Sequence, residues 1–192
     1  MKQMTHNALV VLDLNGLLCR KLSRRVPKNA ITNNIVRCPS YDVQLRPYCK
    51  EFMDHMLQHY RVGFYSSTTE KNAKPISDAL VTIGPSPIIE ECQQFVNDTP
   101  IDQSHVLFYW FRDRTRPDPE RGGFETIKLV SDIRLEYDYE KVLLVDDSSD
   151  KLRFNNPDDV LVCKSYDSDN DNDGEYLLEL IDEIDRRMVD CD

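Results

Sequence analysis

The sequence lacks the long apolar run that a transmembrane helix needs. No apolar stretch in its 192 residues approaches the ~20 residues required to cross a bilayer. Met1–Asn7 shows no basic stretch followed by apolar residues, so nothing predicts a secretory signal peptide. We therefore expect an intracellular protein, nuclear or cytoplasmic, with no membrane partner.

An excess of basic residues is also missing. The chain has 24 Lys and Arg against 34 Asp and Glu, which gives a net charge of −10. Proteins that bind nucleic acid broadly neutralise phosphates with Lys and Arg, so we expect no direct nucleic-acid binding. A single phosphate could still be held in a locally basic cleft.

The cysteine pattern excludes the common zinc and redox motifs. None of the six cysteines forms a CxxC pair, and no Cys/His cluster resembles a zinc site. Cys163 follows the apolar residues 160–162, where a buried reduced thiol is expected. The pattern is typical of free thiols in a reducing compartment.

Hydrophobic patterning predicts alternating strands and helices. The predicted strands are Ala8–Leu14, Tyr41–Leu45, Arg61–Tyr65, Val106–Phe111, Lys141–Val145 and Val160–Cys163. The predicted helices are Pro47–Tyr60, Thr69–Thr82, Phe124–Arg134 and Gly174–Val189, with a kink or restart at Pro75. Residues 15–40 are irregular and basic, and Arg112–Gly123 is read as a loop. The alternation favours an α/β fold with a central, mostly parallel sheet flanked by helices. We expect one domain over residues 1–192.

Polar residues follow three of the predicted strands. Asp13 and Asn15 come after the first strand, Ser66-Ser67-Thr68 after Arg61–Tyr65, and Asp146-Asp147 after Lys141–Val145. Ligands of open α/β sheets bind outside the carboxyl ends of the strands. The aspartates after the first strand and after Lys141–Val145 would supply oxygen ligands for a hard cation, and the hydroxyl groups after Arg61–Tyr65 would form a site for phosphate beside it. Lys128 lies on the predicted helix Phe124–Arg134, and its positive charge could balance the negative charge of the carboxylates.

Each of these residues also has a structural interpretation. The three aspartates could serve turns and caps at strand ends, Ser66 could cap a helix, and Lys128 could be a solvated helix lysine. It is the joint occurrence that favours a site.

Three other patterns leave alternatives open. Asp169–Gly174 (DNDNDG) imitates the start of an EF-hand loop, but an exposed loop whose Asn172 caps the last helix is favoured over calcium binding. His55 and His59 have the spacing of a helical zinc pair without a third ligand in view. The basic segments Arg20–Lys28 and Arg112–Arg121 either flank the cleft and attract a phosphorylated ligand or are solvated loop charge.

The ordered set of motifs resembles the haloacid dehalogenase superfamily, within it the FCP or small C-terminal-domain phosphatases, also called NLI-interacting-factor-like. The family opening DLDETL is matched by DLNGLL, and its "RP…EFL" helix by Arg46-Pro47 and Glu51-Phe52-Met53. Its "LFTAS…KYADP", "YVKDL" and "VLIVDNSP" are similar to Phe64–Pro75, Phe124–Val130 and Val142–Ser149. The resemblance runs from about residue 8 to 187 and implies a Rossmann-like, haloacid dehalogenase-type core.

The resemblance implies a Mg²⁺-dependent phosphoaspartyl mechanism. Asp13 would be the nucleophile. Mg²⁺ would be held by Asp13, the backbone carbonyl of Asn15 and Asp147, with Asp146 close by. The phosphate oxygens would be bound by Ser66, Ser67 and Lys128. A phosphoserine or phosphothreonine protein is the implied partner, with the RNA polymerase II tail as one candidate, and we expect a monomer.

Asn15 departs from the family pattern. The family has Asp there, which protonates the leaving alkoxide and then activates water, and an amide does neither. The resemblance therefore leaves three readings: a phosphatase with slow turnover, a catalytically impaired module that binds phosphopeptides or partners, and a phosphotransfer protein with a long-lived phosphoaspartate. Gly16 also replaces a bulkier family residue.

Overall fold

A computed structural model describes residues 8–83, 106–166 and 173–189. The strands are β1 (Ala8–Leu12), β2 (Cys19–Lys21), β3 (Ile35–Arg37), β4 (Asp42–Leu45), β5 (Arg61–Tyr65), β6 (Val106–Trp110), β7 (Arg116–Pro117), β8 (Thr126–Ile127), β9 (Lys141–Asp146) and β10 (Val160–Val162). The helices are α1 (Cys49–His59), α2 (Glu70–Ile83), α3 (Val130–Glu136), α4 (Ser149–Leu152) and α5 (Tyr176–Val189).

Five strands form the central parallel sheet in the order β10-β9-β1-β5-β6. β1 lies in the middle and is buried along its whole length, because its five residues are all apolar. Its register pairs Leu12 with Val145 of β9 and with Phe64 of β5. The carboxyl ends of these three strands therefore meet at one edge, as predicted.

The sheet is covered on both faces, which confirms the predicted α/β class. Alternate residues of β1 enter two separate apolar clusters, with Val10 in one and Val11 in the other. The larger cluster takes in residues of α1, α2 and α5, and the smaller takes in residues of α3 and α4. A strand buried on both faces reads as a continuous apolar run, which explains why β1 and β9 were predictable.

The remaining predicted strands and three of the four predicted helices are confirmed, with ends that differ by at most two residues. α2 is continuous from Glu70 through Pro75, so the helix does not restart at the proline. Among the described residues, no helix is long and apolar enough to span a bilayer.

A second sheet corrects the prediction that residues 15–40 are irregular. β2, β4 and β3 form a three-stranded antiparallel sheet in which Lys21 pairs with Val43 and Arg37 with Asp42. β2 and β3 have only three residues each and expose charged side chains. Too few alternations remain in such short strands for a periodic pattern to be detected.

The predicted helix Phe124–Arg134 is wrong in its first half. Phe124 is 90% exposed, and Thr126–Ile127 pairs with Arg116–Pro117 as a small antiparallel ribbon. The helix begins only at Val130, whose N–H donates to Asn155 Oδ1 at 2.7 Å. The predicted loop Arg112–Gly123 thus contains one strand of this ribbon, and Lys128 lies in the segment before the helix.

Candidate active site

Three aspartates meet at the carboxyl edge of the central sheet. Asp13 follows β1, Asp146 ends β9 and Asp147 comes next, and one carboxylate oxygen of each lies within 4.8 Å of the others. The Asp13 N–H donates to Val145 O at 3.0 Å, which ties the end of β1 to β9. The fold therefore brings together the carboxylates that the sequence predicted as cation ligands.

Lys128 lies among these carboxylates. Its Nζ is 2.9 Å from Asp13 Oδ1 and 2.6 Å from Asp146 Oδ2, and the side chain is fully buried. The interpretation of Lys128 as a solvated helix lysine is wrong. The segment between β8 and α3 positions it, with Lys128 N–H donating to Lys151 O.

The buried charges of the cluster shift one another's pKa values. Burial opposes the charged form of Lys128, but Asp13 and Asp146 outweigh it and raise the lysine pKa, so the ammonium persists at neutral pH. Burial also opposes ionisation of Asp146, yet Lys128 and Lys151 lower its pKa overall. For Asp13 and Asp147, burial is the largest effect and the pKa of each is raised.

Asn15 is held by hydrogen bonds on both sides of its amide. Nδ2 donates to Thr68 Oγ1 at 2.6 Å, and Oδ1 accepts from Cys19 Sγ at 3.4 Å. The Tyr41 hydroxyl also contacts the side chains of Thr68 and Asn15. Position 15 thus carries a neutral amide with fixed partners.

Gly16 allows Asp147 to reach the cluster. Its φ is +86°, a conformation that side chains disfavour, and a Cβ at this position would overlap the Asp147 carboxylate. Asp147 Oδ2 in turn accepts a 2.6 Å hydrogen bond from Ser165 Oγ. A bulkier residue at position 16 would therefore force the Asp147 carboxylate out of its present orientation.

The Ser66–Thr68 turn follows β5, directly beside β1. Ser66 is buried, its N–H donates to Trp110 O at 2.8 Å, and its Oγ accepts from Thr68 N–H at 3.2 Å. Ser67 Oγ is buried and has no hydrogen-bond partner within the described residues. The turn places hydroxyl groups at the same edge of the sheet as the carboxylates.

Comparison with known proteins decides the family. The family model described as "NLI interacting factor-like phosphatase" matches residues 8–191. The chain belongs to this family. Among curated proteins, none matches it as a relative.

Two solved structures have a similar fold. "The Structure of Fcp1, an essential RNA polymerase II CTD phosphatase" shares 16% identity at a TM-score of 0.50, over 95% of this chain and 51% of that one. A fission yeast Fcp1 variant bound to beryllium fluoride shares 16% identity at a TM-score of 0.46, over 95% and 50% of the two chains. At this identity the first match shows a shared fold. The chain spans about half the length of these structures.

Arg46 of the family's RP motif is a residue whose role the sequence did not reveal. Its guanidinium donates to Leu17 O and Lys164 O, both at 3.0 Å, and pairs with Asp173 through both carboxylate oxygens. Arg46 therefore joins the loop after Asp13 to the segment after β10. The motif marked the residue, but its contacts lie 29 to 127 residues away along the chain.

The alternative zinc pair receives no support from the geometry of the described residues. His55 Nε2 lies 3.0 Å from Asp185 Oδ1. Across the described ranges, the only group of three potential metal ligands is the aspartate cluster. Residues 167–172, which include most of the calcium-like loop and the predicted Asn172 cap, lie outside the described residues. Asp173 instead pairs with Arg46.

Four of the six cysteines lie in the described residues, and all four are buried free thiols: Cys19, Cys38, Cys49 and Cys163. Burial raises the pKa of Cys163 to about 12. Burial raises the pKa of the other three as well, so these thiols are protonated at neutral pH, in agreement with the buried thiol predicted at Cys163.

Proposed function

We propose that this family member is a Mg²⁺-dependent phosphoaspartyl phosphatase of low turnover, acting on phosphoserine or phosphothreonine in proteins. The observation that supports this most is the position of Asp13. Its carboxylate lies at the end of the central strand, within reach of two further carboxylates and 2.9 Å from the Lys128 ammonium.

The residues at the carboxyl edge fit a magnesium ion. Asp13 Oδ1 is buried and, within the described residues, accepts no hydrogen bond of good geometry. Carboxylate and carbonyl oxygens are the ligands that Mg²⁺ takes in proteins. Asp13, Asp147 and the Asn15 carbonyl would hold the ion, with Asp146 close by. When bound, Mg²⁺ reduces the repulsion between the Asp13 carboxylate and the phosphate oxygens.

Asp13 is the proposed nucleophile. One of its oxygens attacks phosphorus in line with the leaving oxygen, which forms an aspartyl phosphate and releases the seryl or threonyl oxygen. Lys128 donates one of its three ammonium hydrogens to Asp146 Oδ2 and lies at ion-pair distance from Asp13 Oδ1, so a hydrogen remains for a phosphate oxygen. We assign further phosphate contacts to Ser66 and to Ser67, whose hydroxyl has no partner within the described residues.

Asn15 sets the rate in this proposal. The alkoxide of serine is strongly basic and needs a proton as the P–O bond breaks. An amide that already donates to Thr68 supplies none. General acid–base catalysis contributes ~10²–10⁴-fold to a rate. Both the transfer of the phosphoryl group from serine to Asp13 and the hydrolysis of the aspartyl phosphate are therefore expected to be slow.

The same residue favours a second candidate function. Binding of a phosphopeptide requires the ammonium, the hydroxyls and the metal, but no proton donor. A catalytically impaired module that binds phosphopeptides or partner proteins is therefore the alternative. For the phosphatase and for a phosphopeptide-binding module the ligand is a phosphorylated protein, and the RNA polymerase II tail is one candidate because the Fcp1 structure carries that description.

A turnover assay tests the proposal. The wild-type chain is incubated with an aryl phosphate and with a phosphoserine peptide, with and without Mg²⁺, beside Asp13→Asn. Mg²⁺-dependent release of phosphate that Asp13→Asn abolishes supports the phosphatase. Phosphopeptide binding without turnover on either substrate supports the binding module. Metal-independent activity that survives Asp13→Asn would contradict both.

A further inference from the structure

Residues 14–41 have an unusual charge for an acidic protein. They contain six of the 24 basic residues of the chain and none of its 34 acidic residues. The six are Arg20, Lys21, Arg24, Arg25, Lys28 and Arg37. A cluster of positive charges of this kind raises the local concentration of a negatively charged ligand.

Three of these cations have no carboxylate partner among the described residues. Arg25 and Arg37 both pair with the buried Asp42. Lys21, Arg24 and Lys28 are exposed and form no ion pair within the described parts of the chain. We call these three residues the basic strip.

The second basic segment, 112–121, differs in this respect. Arg114 pairs with Glu136, Arg116 with Asp132 at 2.8 Å, and Arg121 with Asp150 at 2.7 Å. These ion pairs hold the segment against α3 and α4 and neutralise three of its four arginines. The fourth, Arg112, donates to Phe124 O at 2.8 Å, and unlike residues 14–41 the segment contains acidic residues of its own.

The basic strip is continuous with the active site. Lys21 Nζ lies 4.8 Å from the centre of the Tyr41 ring, and the Tyr41 hydroxyl contacts Asn15 and Thr68. β2 begins at Cys19, which forms a β-bridge with Asn15. At ~3.3 Å per strand residue, the Lys21 backbone lies about 7 Å beyond Cys19. An extended peptide covers that distance in two to three residues.

We propose that the basic strip is a second anionic subsite, which selects phosphopeptides that carry acidic residues or a second phosphate within about two to five residues of the phosphorylated one. This inference rests on the proposed function, because it needs a phosphorylated residue at Asp13 and Lys128. It adds the substrate class: an acidic or multiply phosphorylated segment.

Three fluorescent peptides test the subsite by anisotropy in the Asp13→Asn background, which prevents turnover. One phosphoserine peptide has neutral flanks, one has aspartates at two to five residues on both sides, and one has a second phosphoserine. Because exposed charge pairs are individually weak, we expect the two acidic peptides to bind about 5- to 10-fold more tightly than the neutral one. The preference should shrink at high salt.

Matched charge variants locate the effect. Lys21→Gln/Arg24→Gln should remove the preference and leave the affinity for the neutral phosphopeptide within about twofold. The control Lys74→Gln/Lys141→Gln removes the same amount of charge from α2 and from the amino end of β9. It should retain the preference for acidic peptides. If both double variants reduce it equally, the effect comes from net charge and the subsite is wrong.

The outcomes separate this inference from the proposed function. Equal binding of acidic and neutral phosphopeptides overturns the subsite and leaves the proposed function intact. Failure of all three phosphopeptides to bind overturns both. Binding of single-stranded RNA that is lost in Lys21→Gln/Arg24→Gln, with unchanged phosphopeptide affinities, would assign the strip to nucleic acid and overturn the subsite.

Discussion

The side-chain amide of Asn15 donates a 2.6 Å hydrogen bond to Thr68 Oγ1. This bond joins the loop after β1 to the turn after β5, the two segments that carry the proposed nucleophile and phosphate-binding hydroxyls. The residue at the family's acid position therefore has a structural role as a neutral donor. The proposed slow turnover follows from that position, because Asp13, Lys128 and Asp146 keep the residues of the family motifs DLDETL, YVKDL and VLIVDNSP.

Magnesium should stabilise the folded protein by linkage. A ligand at 100 times its Kd contributes about 2.7 kcal/mol, which corresponds to a Tm increase of roughly 5–10 °C in a chain of this size. Thermal unfolding with and without Mg²⁺ measures the increase. Asp147→Ala should abolish it, whereas Ala at the exposed Asp138 should retain it. A full increase in Asp147→Ala would remove Asp147 from the metal site.

Asp13→Asn should eliminate both phosphatase activity and any acid-stable, base-labile phosphoenzyme, because an amide cannot attack phosphorus. The fold should persist, since Asp13 follows β1 and the substitution nearly conserves its volume. Activity, acid-quenched labelling and circular dichroism of the same preparation provide the comparison. Residual turnover in a pure preparation would place the chemistry elsewhere.

Gly16→Ala should weaken the metal site more than the fold. The positive φ costs an L-residue about 1–2 kcal/mol, and the new Cβ displaces the Asp147 carboxylate. We expect a lower Tm without metal and a smaller increase in Tm when Mg²⁺ is added. Gly122→Ala is the control, because the φ of Gly122 is also positive but a Cβ added there would have nothing within 4 Å. An unchanged Mg²⁺ increment in Gly16→Ala would show that Asp147 is not needed in its present orientation.

The ion pair of Asp118 and Arg153 predicts a pH-dependent contribution to stability. The hydrogen bond from Arg153, at 2.6 Å, and two backbone N–H donors lower the Asp118 pKa from 3.8 to about 2. A lowered folded-state pKa stabilises the protein above the unfolded pKa, and this contribution is lost as the pH falls through the folded value. Asp118→Asn should therefore lower the Tm at pH 7, and the difference from wild type should narrow between pH 4 and pH 2. A constant difference would rule out Asp118 ionisation as its source.

The predictable part of the fold was the part that local sequence determines. β1 and β9 are buried on both faces and read as apolar runs, and α1 and α5 have one apolar face. The second sheet was missed because β2 and β3 are short and half exposed. The helix before β9 was placed too early because contacts with Asn155 and Lys151, far along the chain, hold residues 128–130.

The positions of the candidate site residues in the fold were predictable to a similar degree. Strand ends and motif order indicated the aspartates, the serine turn and Lys128. The contact of Tyr41 with Asn15 depends on the register of β2 with β4, and the contact of Gly16 with Asp147 depends on packing between β1 and β9. Neither has a local pattern in the sequence.

The most direct test compares wild type with Asn15→Asp on a phosphoserine peptide and on a nitrophenyl phosphate. Because nitrophenolate leaves without a proton, wild type should prefer the aryl substrate and accumulate phosphoaspartate. Asn15→Asp should raise phosphoserine turnover by ~10²-fold or more and reduce the phosphoaspartate. Rapid wild-type hydrolysis of phosphoserine that is unchanged in Asn15→Asp would contradict the account, because it would show that another residue supplies the proton.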